Sequence, residues 1–138
     1  MLTLTRKMNA AFTLVELMIV VVIVAILALV AVPLYSGNVV SGKMSEGIAG
    51  AGSIRSAMRV YASGHNNSYW AYSSAANGNG LSAIGVSSTD LVGKYFGNAS
   101  YTVNSTATTY TVKADLDGKN TYIVNEAGKE SGTYLSGN

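Results

Sequence analysis

An uninterrupted apolar run near the N-terminus constrains the fold more than any other feature of this sequence. From Leu17 to Leu34 no residue carries a charged or polar side chain. As an α-helix these 18 residues span roughly 27 Å, close to the roughly 30 Å hydrocarbon core of a bilayer. The run is apolar on every side, so lipid or other protein must surround it. The rest of the chain is too short to enclose it, and the sequence therefore predicts a membrane-spanning helix.

Two features beside this run are unusual for a simple anchor. Glu16 lies one turn inside the apolar segment, where an unpaired carboxylate costs about 2.5 to 3.5 kcal/mol on insertion scales. A small-residue cleavage site, ending at Ala11, precedes the run, whereas a secretory signal places this site after it. Cleavage between Ala11 and Phe12 creates an amine four residues before Glu16, on the same helix face. The cut would thus supply a partner for the carboxylate.

The segment Ala11–Val20 resembles the N-terminal signature of type IV prepilins and of the related type II secretion pseudopilins. Its matching residues are the junction between Ala11 and Phe12 and the glutamate Glu16. The resemblance implies a class III signal, in which a prepilin peptidase removes residues 1–11 and methylates the Phe12 amine. It also implies that Glu16 is the residue that directs assembly.

Further along the helix, Pro33 and Tyr35 stand where that family commonly has a proline and a tyrosine. The resemblance covers residues 6–35 and departs at two positions. Ala11 replaces the usual Gly before the cut, and Ala25 replaces a frequent mid-helix Gly. Pro33 is then the only strong helix breaker in the segment, and we expect a kink there because proline removes one backbone donor.

Charge and cysteine content exclude several functions. The chain has nine Lys and Arg against seven Asp and Glu, and removing Arg6 and Lys7 with the leader leaves seven against seven. A neutral mature chain does not favour nucleic-acid binding, which needs a concentrated basic surface. The leader cations place the N-terminus in the cytoplasm by the positive-inside rule. There is no cysteine, so the outer domain cannot rely on a disulfide.

Hydrophobic periodicity predicts one long helix from residue 12 to about 62, amphipathic in its outer half. Its apolar positions recur every three or four residues: Val40, Met44, Ile48, Ala51, Ile54, Met58 and Tyr61. We therefore divide the chain into a leader (1–11), a membrane and assembly half of the helix (12–35) and an outer domain (36–138). Residues 63–89 are rich in Gly, Asn and Ser, and we expect loops over residues 63–98, with a capped short helix or turn that begins at Ser88–Asp90.

Alternation of β-branched and aromatic residues predicts an antiparallel sheet over residues 99–135. The expected strands are 99–103, 108–114 and 120–124, with a last short strand near 133–135 and a turn at 115–119. The expected inward residues are Tyr101, Val103, Tyr110, Val112, Tyr122 and Val124. The sequence therefore predicts an α+β fold in which a long N-terminal helix packs on a small antiparallel sheet.

Few residues offer chemistry, and the sequence predicts neither an enzyme nor a cofactor. Asp115, Asp117 and Glu126 are weak candidates for calcium, because an EF-hand loop has acidic ligands at its first, third and twelfth positions. Lys119 occupies a ligand position, so a hairpin turn is favoured, and a calcium site of another geometry is the alternative. The aromatic cluster at 69–72 either packs on the core or forms an exposed contact patch.

The leading hypothesis is a structural subunit of a type IV pilus-like filament, stored in the inner membrane and then polymerised outside it through its apolar helix. Its expected partners are identical subunits, the prepilin peptidase and methyltransferase, an inner-membrane assembly platform and membrane lipid. One alternative is a pseudopilin of a type II secretion system. Another, of a different class, is a membrane-anchored extracytoplasmic binding protein, which needs neither Glu16 nor a cut before Phe12.

Overall fold

The computed structural model describes residues 12–75 and 79–134 of the 138-residue chain. One long helix, α1, spans Leu14–Gly64. Five strands follow it: β1 (Ser73–Ala75), β2 (Tyr101–Ser105), β3 (Tyr110–Asp115), β4 (Thr121–Asn125) and β5 (Glu130–Ser131). The predicted α+β fold is confirmed. The chain divides into two compact units between Gly37 and Asn38, inside α1, and each is described by itself.

The described part of the first unit, residues 12–37, is almost entirely helical and has no core of its own. Residues 12–37 carry no buried side chain. The exposed fraction of their large hydrophobic side chains ranges from 51% at Val20 to 81% at Phe12. Pro33 lies inside α1 without ending it. The predicted kink at Pro33 stays a prediction.

The second unit begins with the outer half of α1, which buries one face. The buried positions recur every three or four residues: Met44, Gly47, Ala51, Ile54, Met58 and Ala62. This spacing places them on a single stripe of the helix. Val40, Ile48 and Tyr61 flank the stripe and are partly buried against the same core. The amphipathic outer half predicted from periodicity is thus confirmed.

The sheet of the second unit is antiparallel throughout, with its strands in chain order from β1 to β5. The central ladder pairs Val103 with Val112 and Val112 with Val124. All six residues predicted to point inward are buried with 4% exposure or less, and they pack with the helix stripe in one hydrophobic cluster. One face of the sheet therefore supplies the core, as expected for an antiparallel sheet.

The predicted loop and the last strand need correction. Within residues 63–98, strand β1 and the 3₁₀ helix Asn79–Ile84 were not predicted. The 3₁₀ helix Ser88–Leu91, capped by Ser87, confirms the capped short helix or turn expected there. The pairing of β1 with β2 defines this strand, because its small residues give no alternating pattern. The last strand is Glu130–Ser131, before the predicted 133–135, and Leu135 lies outside the described residues. Gly132, with φ +128°, follows this strand and ends the extended backbone.

Two helix glycines receive aromatic rings from the second unit. A Cβ on Gly47 would stand 2.4 Å from Cζ of Phe96, and one on Gly50 would stand 2.2 Å from the Tyr101 hydroxyl. Both rings are almost fully buried. The structure shows that these two glycines admit a loop ring and a strand ring of the same chain.

The aromatic cluster at 69–72 packs on the core, which confirms the first of the two interpretations given above. Tyr69 meets Tyr110 edge-on, with ring centroids 4.8 Å apart, and Trp70 meets Tyr61 at 5.8 Å. Edge-to-face pairs at these distances are attractive. The cluster thereby fixes the chain that leads into β1.

Serine hydroxyls along α1 bond back to the helix itself. Five of them donate to carbonyl oxygens three or four residues earlier, at 2.7 to 3.2 Å: Ser36, Ser45, Ser53, Ser56 and Ser63. All five bonds lie at exposed positions. These hydroxyl groups therefore find their hydrogen-bond acceptors within α1 and need none from another element.

Candidate assembly site at the helix N-terminus

A reciprocal capping box closes the N-terminus of α1. The backbone N–H of Thr13 donates to Oε2 of Glu16 at 2.9 Å, and the Thr13 hydroxyl donates to the same oxygen at 2.8 Å. In return, the Glu16 N–H donates to Oγ1 of Thr13 at 3.2 Å. The box satisfies N–H groups that would otherwise be unpaired in the first turn. It also holds a carboxylate where the helix dipole favours negative charge.

This arrangement corrects the expectation that Glu16 has no partner before the chain is cut. Thr13 is that partner, and the signal that reveals it is the Thr-x-x-Glu spacing ahead of an apolar run. Thr13 is neutral, however, so the carboxylate keeps its charge. Only Oε2 is used: Oε1 accepts no hydrogen bond from the residues that the structure describes.

Phe12 immediately precedes this box and is exposed, whereas Ala11 lies outside the described residues. The predicted cleavage junction is therefore visible only on its Phe12 side. Behind the box, α1 is the one described helix that is long and apolar enough to cross a membrane. None of its apolar window is buried, which distinguishes it from the core helix of a soluble protein.

A second glutamate of α1 makes contacts that sequence reasoning missed. Glu46 accepts hydrogen bonds from three consecutive backbone N–H groups: Phe96 at 2.8 Å, Tyr95 at 3.0 Å and Lys94 at 3.2 Å. Gly93 is also required here, since a Cβ there would lie 2.1 Å from Oε1 of Glu46. The sequence pattern places Glu46 on the polar face, and only the fold shows that residues 93–96 dock on it.

These contacts have electrostatic consequences. The Phe96 N–H, ahead of the bonds from Tyr95 and Lys94, holds the pKa of Glu46 below its usual value. Burial, helped by the Glu46 charge, raises the pKa of Tyr101 to about 12. Glu46 therefore stays ionised at neutral pH while Tyr101 stays protonated, and both forms suit the packing seen here.

The three calcium candidates are not brought together. Asp117 caps the turn between β3 and β4 by accepting from the N–H groups of Lys119 at 3.0 Å and Asn120 at 2.7 Å. Asp115 forms an ion pair with Lys113 at 2.8 Å, which lowers its pKa.

Glu126 follows the opposite end of β4, five residues or about 17 Å along the strand direction from the level of Asp115. Within the described residues no group of three or more acidic, His or Cys side chains could hold a metal. The predicted turn at 115–119 is confirmed.

A capped, exposed apolar helix that is followed by an α+β unit is the arrangement that the resemblance to prepilins implied. Residues 6–32 match the family model described as the prokaryotic N-terminal methylation motif. The chain is also 40% identical over 90 residues to a fimbrial protein of Neisseria meningitidis serogroup A, covering 65% of this chain and 48% of that protein. It is 38% identical over 73 residues to the fimbrial protein EcpC of Eikenella corrodens, covering 53% and 46%.

The chain is thus similar to prepilins over residues 6–32, as the resemblance of its N-terminus indicated, and similar to a fimbrial protein over 90 residues. Each alignment spans just under half of the length of the relative.

Proposed function

We propose that this chain is a structural subunit of a type IV pilus-like filament, held in a membrane before assembly and polymerised through residues 12–35. The observation that carries the proposal is the exposed apolar surface of that segment, where every large hydrophobic side chain is at least half exposed. Such a surface needs lipid in one state and other subunits in the next. The names of the relatives, which are fimbrial proteins, support the same role.

Processing prepares the helix for assembly in this proposal. A prepilin peptidase cuts between Ala11 and Phe12 and methylates the new amine of Phe12. The amine then neutralises the charge of Glu16, in its own or in a neighbouring chain. Oε1 of Glu16, which has no donor among the described residues, offers the site for that contact. A paired charge buried among helices fixes their axial register, the best-attested role of such groups.

The membrane topology follows from charge. Arg6 and Lys7 keep the N-terminus in the cytoplasm, so the outer domain, residues 36–138, lies outside the inner membrane. An assembly platform in that membrane transfers subunits from lipid to the filament. Identical subunits then replace lipid around residues 12–35, with the kink at Pro33 adjusting the helix path.

Two alternatives remain open to test. A type II secretion pseudopilin would use the same N-terminus, but the relatives named as fimbrial proteins favour a pilus. A membrane-anchored binding protein would keep an intact Met1.

The test is the N-terminus of the assembled protein. Intact-mass analysis of sheared fibres should show a chain that starts at Phe12 with a methylated amine. Ala11→Glu should leave an uncut precursor in the membrane fraction and no fibres, whereas Ala11→Gly, the residue usual in the family, should be processed normally. Fibres built from uncut chains, or normal fibres from Ala11→Glu, would contradict the proposal.

A further inference from the structure

An aromatic side chain flanked by two cations stands on the surface of the second unit. The ammonium nitrogens of Lys43, from α1, and of Lys94 each lie 5.2 Å from the centroid of the Tyr95 ring. Tyr95 is 44% exposed and Val92 is 60% exposed. We call these four residues the Tyr95 patch. Apart from Phe12 and residues of α1, Val92 and Tyr95 are the exposed large hydrophobic side chains of the described residues.

The backbone beneath the patch is fixed to the helix. Glu46 binds the N–H groups of Lys94, Tyr95 and Phe96, and the Phe96 ring is seated on Gly47. The ring and the two lysines are therefore presented together on a held loop. Presentation of this kind lowers the ordering cost of binding.

The lysines keep their charges available to a partner. Among the described residues the one ion pair within 4 Å joins Lys113 to Asp115, so neither patch lysine is paired in this way. Glu46 acts on Lys94 through its charge, but its oxygens are engaged by backbone N–H groups. Two ammonium groups near one ring leave a local excess of positive charge that suits an anionic surface.

Covalent connection limits how far the patch can be from the membrane segment. Lys43 follows Leu34, the last residue of the apolar run, by nine positions. At no more than about 3.3 Å per residue its Cα stays within about 30 Å of that end of the run. Whenever residues 12–35 are in lipid, this covalent connection keeps the Cα of Lys43 within about 30 Å of the outer end of the apolar run.

The composition of the patch matches what membrane interfaces select. Tyrosine is enriched at the level of the headgroups, where its ring meets the acyl boundary and its hydroxyl meets water. Lysine stems lie on apolar surface while their ammonium groups reach phosphates. Anionic lipid attracts each nearby lysine measurably, and the attraction decays within a Debye length.

We propose that the Tyr95 patch docks on anionic phospholipid headgroups while the subunit is stored in the membrane. The inference rests on the proposed membrane stage of the function. Docking would hold the outer unit at the bilayer surface before assembly. Salt or loss of anionic lipid would then release it.

The absence of cysteine from the chain allows a clean test. Full-length protein carrying Val92→Cys is labelled with an environment-sensitive dye and reconstituted into vesicles of phosphatidylcholine, with or without about 30% phosphatidylglycerol. Quenching by headgroup spin-labelled lipid should rise about threefold with phosphatidylglycerol and fall back in 0.5 M NaCl. Val60→Cys, another exposed valine, is the label control and should show no such change.

Charge variants assign the effect to the patch. Lys43→Gln with Lys94→Gln should abolish the lipid-dependent quenching at position 92. Lys119→Gln with Lys129→Gln, which removes two exposed lysines elsewhere, should leave it intact. Equal quenching in both lipid mixtures, or equal loss from both double variants, would overturn the proposal. Carbonate extraction of the same vesicles shows whether the chains have inserted into the membrane. Chains that do not insert would overturn the proposed membrane stage as well as the docking. Inserted chains that show no dependence on phosphatidylglycerol would overturn the docking alone.

Discussion

The two halves of α1 are built from similar apolar residues but satisfy them in opposite ways. Ile54, in the outer half, is fully buried against the sheet, whereas Ile26, in the first unit, is 61% exposed. The outer half finds its partner within the chain, and the first half must find one elsewhere. Burial pattern rather than hydrophobicity thus separates the part of the helix that packs in a domain from the part that is left for lipid or other protein to cover.

The two glutamates of the helix repeat this contrast. The carboxylate oxygens of Glu46 accept hydrogen bonds from three backbone N–H groups of its own domain. Glu16 uses one oxygen to cap its own helix and leaves the other without a donor from the described residues. The first is a tertiary contact, and the second is suited to an intermolecular one. Each of the following variants tests one side of this comparison.

Glu16→Leu should produce the largest effect, the loss of assembled fibres. The Phe12 amine would be buried among helices with no counter-charge, at a cost of several kcal/mol per subunit. Insertion should survive, because the segment becomes more apolar. A blot of sheared fibres beside the membrane fraction measures both.

Glu16→Asp keeps the charge with a shorter reach and should give an intermediate fibre yield. The melting temperature of the outer unit should be unchanged in both variants. Abundant fibres made from Glu16→Leu chains alone would show that the glutamate does not direct assembly.

Ile54→Ala and Ile26→Ala apply the same deletion to the two halves of one helix. Ile54→Ala should lower the free energy of unfolding by about 2 to 5 kcal/mol, because it leaves a cavity in the core. Ile26→Ala should change it by no more than about 0.5 kcal/mol, since its side chain contacts no core. Urea titration in detergent, followed by Trp70 fluorescence, gives both values. Comparable losses would disprove the division into a packed and an unpacked half.

Gly47→Ala and Gly42→Ala compare a glycine that seats a ring with one that faces open space. The new methyl at 47 would clash with the buried Phe96 ring and destabilise the fold by about 1 to 3 kcal/mol. At Gly42 nothing lies within 4 Å of an added Cβ, so alanine should stabilise the helix by up to about 1 kcal/mol. Thermal melts of the two variants should therefore shift in opposite directions, and a shared direction would count against the seating of Phe96.

Glu46→Gln should have the smallest and most local effect, faster amide exchange at Lys94, Tyr95 and Phe96. Because the bond from Phe96 lowers the pKa of Glu46, its stabilisation is present above the usual carboxyl pKa of 4.5 and is lost as pH falls through the lower folded value. Hydrogen exchange with mass spectrometry should show the wild-type loop loosening only in that acidic range. Glu126→Gln, which removes the charge of a carboxylate that accepts a longer bond of 3.4 Å from the Tyr110 N–H, is the control and should leave the loop unchanged.

Sequence predicted the features that depend on repeated local pattern. The spacing of Met44, Ile54 and Met58 revealed the buried stripe, and the alternation around Val112 revealed the central strands, because period follows directly from backbone geometry. The capping box also has a local signal in the sequence, the Thr-x-x-Glu spacing of Thr13 and Glu16. These features need no knowledge of distant residues.

Contacts between distant residues were not predictable in the same way. Strand β1 exists because Ser73 and its neighbours pair with β2, about thirty positions away, and no local preference marks it. Glu46 meets Phe96 across 50 positions, and its side chain resembles any solvated helix carboxylate in sequence. The packing of the loop on the helix selects such partners. They can therefore be identified from the folded structure and not from the sequence pattern.

The serine bonds along α1 bear on what happens when water leaves the helix surface. A hydroxyl that donates to a carbonyl of its own helix, as at Ser45, Ser53 and Ser56, gives up little hydration when another surface covers it. Removing an unpaired hydroxyl from water would instead cost about 1 to 3 kcal/mol. At these three positions, another surface can therefore cover the outer half of α1 at a smaller desolvation cost than unpaired hydroxyls would impose.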